Sequence, residues 1–272
     1  MDSIVILGAG FSAAFCYKAI EDWSNKNGKN FKVSVYSDAY PPSPFGAFWI
    51  HWIPEYLKRT VKGKEIGISY IGSRDLYVGK QWGTINYSDN SDSFPEYGHT
   101  EIGYNPAEVR EFLLPKNRVT YRSRFSEEEI YDLASDSSLL FYTFPLESSM
   151  ESRKKFLTKF PILLRPYPEY YKNYTIYDGT SSRLVRSSVL FGQYSMEFVL
   201  NTPMDSRILN DKTVKIGQFP DMHPDTPELD EKERLSLSSN AYPLGRFAKF
   251  KRHELSHDAY AETAKILEAY YE

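Results

Sequence analysis

Three groups of residues in this 272-residue chain have types and spacings that can do chemistry. The first is Gly8-Ala9-Gly10-Phe11-Ser12-Ala13, which follows the apolar run Ser3 to Leu7 and leads into an alanine-rich stretch. A strand, a tight glycine turn and a helix in that order receive a dinucleotide. Gly8 permits the turn, Gly10 lets a pyrophosphate approach the backbone, and the small Ala13 lets helix and strand pack closely. The free amides and positive end of that helix, with Ser12 in its first turn, then face the phosphates. The second group is cationic and aromatic. Arg183 and Arg186 close the run Asp178 to Arg186 near Tyr167, Tyr170, Tyr171, Tyr174 and Tyr177, while His51 stands in Phe48-Trp49-Ile50-His51-Trp52. Arginine forks hold phosphate, and tyrosines stack on a sugar or a base. These side chains read equally as solvated arginines and ordinary sheet-face tyrosines, and the aromatic cluster as a plug under a loop. The third group is His253-Glu254-Leu255-Ser256-His257, which spells the zinc-protease string H-E-x-x-H. Zinc chemistry needs both histidines on one helical face and a third ligand. Ser256 is expected to cap the last helix, which leaves His253 outside it, so no metal is expected.

Composition narrows the classes. The net charge of −3 gives no global reason to expect nucleic-acid or membrane binding. Lys249, Lys251 and Arg252, and Arg153 to Lys155, are read as solvated basic faces; if both flank a pocket, they favour an anionic substrate. The single cysteine, Cys16, falls inside the first helix as a buried, inert thiol, and no disulfide can form within the chain. No run approaches a membrane span, and a cytoplasmic location is expected.

The elements that must position these groups follow in order. Phe31 to Tyr36 alternates like a second strand, with Ser37 at its tip and Asp38 behind it, so the carboxylate that usually meets a ribose is displaced by one place. Pro41 to Pro44 forbid regular structure before Phe45-Gly46-Ala47. Glu65 to Ile71 is strand-like and 88–106 is a loop. Val119 to Phe125 is a third strand, Ser126 to Glu129 a capping box that opens a helix through Ala134, and Leu139 to Thr143 a buried strand. Phe160 to Leu164, Tyr174 to Tyr177, Ser187 to Phe191 and Glu197 to Leu200 make a small antiparallel sheet, Asp221 to Glu233 an exposed loop. Tyr260, Thr263, Ala264, Leu267 and Tyr271 recur at helical spacing.

With these blocks in place, the chain resembles FAD-containing oxidoreductases of the amine oxidase and UDP-galactopyranose mutase type. The likeness rests on Gly8 to Ala13 with Ser37 and Asp38, on Phe45-Gly46-Ala47, on Val119 to Pro145, and on Tyr242-Pro243-Leu244-Gly245-Arg246-Phe247-Ala248. It departs from the family where Phe45 replaces the first glycine of a flavin-contacting pair. The resemblance implies an FAD site made by Gly8, Gly10, Ser12, Ala13, Ser37, Asp38, Gly46, Ala47, Val119, Thr143, Gly245, Arg246 and Asp258. It implies an arginine, Arg183 or Arg186, that contacts phosphate or flavin, while the aromatic stretch around His51, read as a loop over the cofactor, sets His51 near the reacting centre.

The expected fold class is therefore α/β, a Rossmann-like FAD-binding domain with an inserted small antiparallel-sheet substrate domain. The FAD domain is assigned to 1–60, 105–147 and 238–272, and the substrate region to 61–104 and 148–237. The expected activity is that of a small FAD-dependent oxidoreductase acting on an amine, a nucleotide sugar or a modified nucleobase. In the first case a hydride leaves a C–N carbon; in the mutase-like case there is no net oxidation. A phage-type flavoenzyme that processes hypermodified DNA bases is one alternative, and an NAD(P)-binding or non-catalytic Rossmann protein another.

Overall fold

The protein's structure is a computed structural model. It describes residues 1–38, 48–82, 98–122, 125–144, 157–166, 168, 172–199, 214–220, 238–249 and 254–272. The chain divides into two compact units, Met1–Pro42 with Ala107–Phe156 and Thr226–Glu272, and Ser43–Pro106 with Leu157–Asp225.

The first unit is built on an all-parallel sheet of five strands. Its middle strand β1 (Ser3–Leu7) is apolar and buried from Ile4 onward, as a parallel strand covered on both faces must be. On one side of β1 lie β2 (Lys32–Ser37) and then β5 (Val119–Tyr121); on the other lie β6 (Leu139–Tyr142) and then β12 (Ala241–Pro243). The chain thus leaves β1 in one direction and returns on the opposite side, which puts a topological switch point between β1 and β6. Ligands of open α/β sheets sit at the carboxyl ends of the strands at such a point.

Helix α1 (Phe11–Asn27) buries Ala13, Ala14, Phe15, Cys16, Ala19, Ile20 and Trp23, and ends at Gly28, whose φ of 63° supplies the left-handed cap. It packs against the last helix, α6 (Asp258–Tyr271), where the Tyr260 hydroxyl donates to Asp22 Oδ2 at 2.8 Å. Helix α4 (Glu127–Asp136) opens on the expected capping box. The Glu129 N–H donates to Ser126 Oγ at 3.2 Å, and the Ser126 N–H to Glu129 Oε2 at 2.8 Å. Two shorter helices, α3 (Pro106–Leu113) and α5 (Gly245–Lys249), also lie in this part of the chain.

The second unit carries a seven-stranded sheet in the order β11-β7-β10-β9-β8-β3-β4. Its members are β3 (Lys64–Gly72), β4 (His99–Gly103), β7 (Leu157–Pro166), β8 (Asn173–Gly179), β9 (Leu184–Leu190), β10 (Gln193–Phe198) and β11 (Val214–Pro220). All neighbours are antiparallel except β3 and β8. Helix α2 (Arg74–Trp82) packs on β8 and β9.

Several sequence expectations need correction. The loop expected over 88–106 contains β4, held by pairing to Lys64–Ile68, and Pro106 already opens α3. Gly103 marks this strand because a Cβ there would come within 2.6 Å of Trp49 Cδ1. The strand expected over Val119 to Phe125 ends at Tyr121. The strand expected to reach Phe191 stops at Leu190, since Phe191 and Gly192, with φ of 50° and 78°, form the two-residue turn into β10. The next begins at Gln193 and stops at Phe198. The last helix begins after His257, so Ser256 is not its cap. Among the described residues no helix is long and apolar enough to cross a membrane.

Candidate functional site

The carboxyl edge of the parallel sheet is laced together just beyond each strand. The Gly8 N–H donates to Tyr36 O at 2.7 Å, tying β1 to β2. The Thr143 N–H and Oγ1 both donate to Leu7 O, at 3.0 and 3.2 Å, tying β6 to β1. The Leu244 N–H donates to Tyr142 O at 2.8 Å, and the Arg122 N–H to Ser37 O at 3.1 Å. Gly8, Ser37, Thr143 and Gly245, four residues separated widely in sequence, therefore stand along one edge.

The two fingerprint glycines are glycine for different reasons. Gly8 has φ of 105°, and a Cβ there would lie 2.3 Å from Thr143 Oγ1, so both backbone and packing require it. Gly10, the residue preceding α1, has an ordinary φ of −73°, and a Cβ on it would meet nothing within 4 Å. Protein packing does not demand glycine at position 10; the space beside it is open. The first turn of α1 carries no acidic residue, and no side chain caps its N-terminus; its first helical bond is Ala14 N–H to Gly10 O. An uncapped helix start with a positive end, beside a glycine whose Cβ position is open, can accept an anion. Ala13, fully buried, gives the close packing expected of it.

The C-terminal part of the chain closes on this turn. Gly245, with φ of 80°, lies so near Ser12 that a Cβ would stand 2.1 Å from the Ser12 Oγ. Its N–H donates to Glu254 Oε1 at 2.9 Å, and Arg246 Nε donates to the Glu254 carbonyl at 3.2 Å. Lys249 Nζ lies 3.1 Å from Glu254 Oε1 and also pairs with Glu262. Glu254 is buried, and burial raises its carboxyl above the usual range against the opposing pull of Lys249.

The other expected residues take various places. Ser37 is buried at the tip of β2 and Asp38 is exposed behind it. Val119 opens β5, buried and paired with Val35. Asp258 Oδ2 accepts the Leu255 N–H at 2.7 Å and so serves the start of its own helix. Gly46 and Ala47 lie outside the described residues, as do Phe45, Tyr167, Tyr170, Tyr171, Lys251, Arg252, His253, Arg153 to Lys155 and the expected loop of Asp221 to Glu233. Cys16 is fully buried, and desolvation pushes its thiol far up, the opposite of a nucleophile. No group of histidine, cysteine or carboxylate side chains among the described residues can hold a metal.

Arg183, Arg186 and His51 belong to the second unit. Arg183 is exposed at the end of the turn between β8 and β9. Arg186 bonds Glu197 through Nε, at 3.1 Å, and through a terminal nitrogen. Burial works against its charge, and the Glu197 carboxylate outweighs burial, so the guanidinium stays charged. His51 Nδ1 accepts from the Trp49 indole N–H at 3.2 Å and lies 3.6 Å from Glu101 Oε2, whose other oxygen is 3.1 Å from His99 Nε2. The turn that bears Arg183 is locked from within. Lys80 Nζ donates to Asp178 Oδ1 at 3.0 Å, to Asp178 O at 2.9 Å and to Leu184 O at 2.7 Å, with no exposed surface of its own. Sequence reasoning passed over Lys80 and Glu197, and met Glu254 only as the glutamate of the H-E-x-x-H string. Only Glu197 had a legible signal, because counting back from the Phe191-Gly192 turn sets it opposite Arg186.

No protein-family model matches the chain, and no curated protein matches it in sequence. Solved structures do match in shape. A reduced UDP-galactopyranose mutase superposes with a TM-score of 0.56 at 11% identity, over 98% of this chain and 95% of that one. BrvH, a flavin-dependent halogenase from Brevundimonas sp. BAL3, gives 0.52 at 10% identity, over 99% of this chain and 72% of its own. Tar14, a tryptophan C-6 flavin-dependent halogenase from taromycin biosynthesis, gives 0.50 at 11% identity, over 100% and 72%. At these identities the likeness shows the fold alone, a Rossmann-like α/β class with a second, sheet-bearing unit.

Proposed function

We propose that this chain is an FAD-dependent oxidoreductase whose substrate is an amine, a nucleotide sugar or a modified nucleobase. The observation that carries the reading is the open space at Gly10, set before an uncapped helix start at the switch point of a parallel sheet. A merely structural turn would need glycine at position 8 and not at position 10. The residues present fit the cofactor. Gly10 and the first turn of α1 would hold the pyrophosphate, Ser37 with Asp38 the ribose, and Gly245 with Arg246 would flank the same turn. When bound, FAD supplies two-electron redox chemistry. The chain's own contribution is to bind it, to orient it through the laced strand ends, and to neutralise phosphate charge with the helix start and Arg246. The flavin dependence named for two of the structural neighbours supports FAD over NAD(P).

The absorption spectrum of the purified protein, before and after incubation with FAD and desalting, tests the cofactor. A retained flavin spectrum is expected; a colourless protein that cannot be reconstituted overturns the reading. Anaerobic mixing of the loaded protein with candidate amines, nucleotide sugars and modified nucleosides tests the substrate class. An amine or nucleobase substrate bleaches the flavin directly. A mutase-type sugar substrate leaves it oxidised and turns over only after prior chemical reduction.

A further inference from the structure

We propose that Glu254 is a positioning residue for the cofactor, holding the Gly245-Arg246 turn against the Gly8 to Ala13 fingerprint; this rests on the FAD reading above. Three bonds make the case. The side-chain oxygen Oε1 takes the Gly245 N–H at 2.9 Å, the same oxygen meets Lys249 Nζ at 3.1 Å, and the Glu254 carbonyl takes Arg246 Nε at 3.2 Å. One residue thus fixes the backbone of the turn, the arginine beside it and the lysine one helical turn on. Gly245 in turn touches Ser12 in the first turn of α1, with no room for a methyl group between them. Moving Glu254 moves Gly245, and Gly245 bears directly on the helix start that faces the phosphates.

The energetics point the same way. Glu254 is 7% exposed, and a carboxylate taken that far from water is a cost which a well-packed apolar residue would avoid. Lys249 retains Glu262 as a second partner, so the carboxylate of Glu254 is not needed to neutralise it. What an apolar residue could not do is accept the Gly245 N–H. The glutamate of the H-E-x-x-H string thus serves a backbone amide, and residues 254–257 precede α6.

The experiment compares FAD affinity with apoprotein stability in three variants, using calorimetric titration of FAD into stripped protein and thermal unfolding without FAD. Glu254→Gln keeps an acceptor for Gly245 and is expected to bind FAD within about threefold of wild type. Glu254→Met removes the acceptor and is expected to weaken FAD binding by about tenfold or more, the loss of roughly one well-placed hydrogen bond. Glu254→Asp keeps the charge but withdraws it by one methylene, and is expected to behave like Glu254→Met with an intact fold. It decides the matter if Glu254→Met does not fold. Wild-type affinity in Glu254→Asp or Glu254→Met overturns the proposal, as does an equal loss in Glu254→Gln. A wild-type protein that binds no FAD overturns the cofactor reading instead.

Discussion

Gly245 stands against Ser12 with no space for a side chain: a Cβ on the glycine would lie 2.1 Å from the serine Oγ and 2.7 Å from its Cβ. This one contact joins the end of the chain to the fingerprint at its start. Gly245→Ala meets two penalties, a left-handed backbone of φ 80° and an overpacked contact, together on the order of 2–4 kcal/mol. Ser12→Gly removes the contact and not the backbone strain. Urea unfolding of the two single variants and the double variant should therefore give a favourable coupling of about 1 kcal/mol or more. Strict additivity would contradict the contact.

Gly8 and Gly10 should separate cleanly. Gly8→Ala forces a Cβ into Thr143 at a backbone that disfavours it, and is expected to lower stability by about 2 kcal/mol or more in the absence of any cofactor. Gly10→Glu enters open space at an ordinary φ, so the apoprotein should melt within about 0.5 kcal/mol of wild type. It should nevertheless retain no flavin after reconstitution and desalting. Full flavin occupancy in Gly10→Glu would show that the space beside Gly10 is not the phosphate site.

The features legible in the sequence are local ones. Ile4 to Leu7 reads as a buried strand from its own side chains, and Ser126 to Glu129 as a capping box from a four-residue spacing. The strand His99 to Gly103 is different in kind. Its polar and charged residues have no strand pattern, and it exists because β3 pairs with it and Trp49 packs on Gly103. Likewise the parallel pairing of β3 with β8 joins residues more than a hundred positions apart, which no periodicity reports. Gly8, Gly10 and Gly245 were legible as turn glycines, but that Gly8 is needed by Thr143 and Gly245 by Ser12 follows only from the fold. Glu254 was hidden by its neighbours, since a zinc-protease string drew attention to the histidines and away from the backbone amide the glutamate serves.

The Lys80–Asp178 lock should be a large, acid-sensitive stability term. Burial pushes the Asp178 carboxyl up, but hydrogen bonds from Thr180 and Lys80 outweigh it and hold the group below its ordinary 3.8. A carboxylate depressed in the folded state contributes stability above its unfolded value, lost as pH falls through the folded one. Lys80→Met strands that carboxylate in the interior and is expected to cost about 3 kcal/mol at neutral pH. The cost should shrink near pH 3, below the ordinary 3.8, where Asp178 is mostly protonated in the unfolded chain. Denaturant unfolding of wild type and variant at both values measures it, and a pH-independent difference would mean the pair is not ionic.

His51 should report its own protonation through Trp49. At neutral pH its Nδ1 accepts the Trp49 indole N–H at 3.2 Å, which requires an unprotonated nitrogen. Burial depresses the imidazole below its ordinary 6.5, against the pull of Glu101, a carboxylate it shares with His99. As pH falls through that lowered value, Nδ1 gains a proton, loses the indole and becomes a donor toward Glu101 Oε2, 3.6 Å away. The indole bond thus contributes above 6.5 and is lost in acid, the direction set by a folded-state pKa below the unfolded one. In a nitrogen–proton correlation spectrum, the Trp49 indole resonance, assigned by its absence in Trp49→Phe, should titrate with a midpoint below 6.5. His51→Gln should abolish that titration. A midpoint above 6.5, or a titration that survives in His51→Gln, would remove His51 as the group that senses acid at this edge of the sheet.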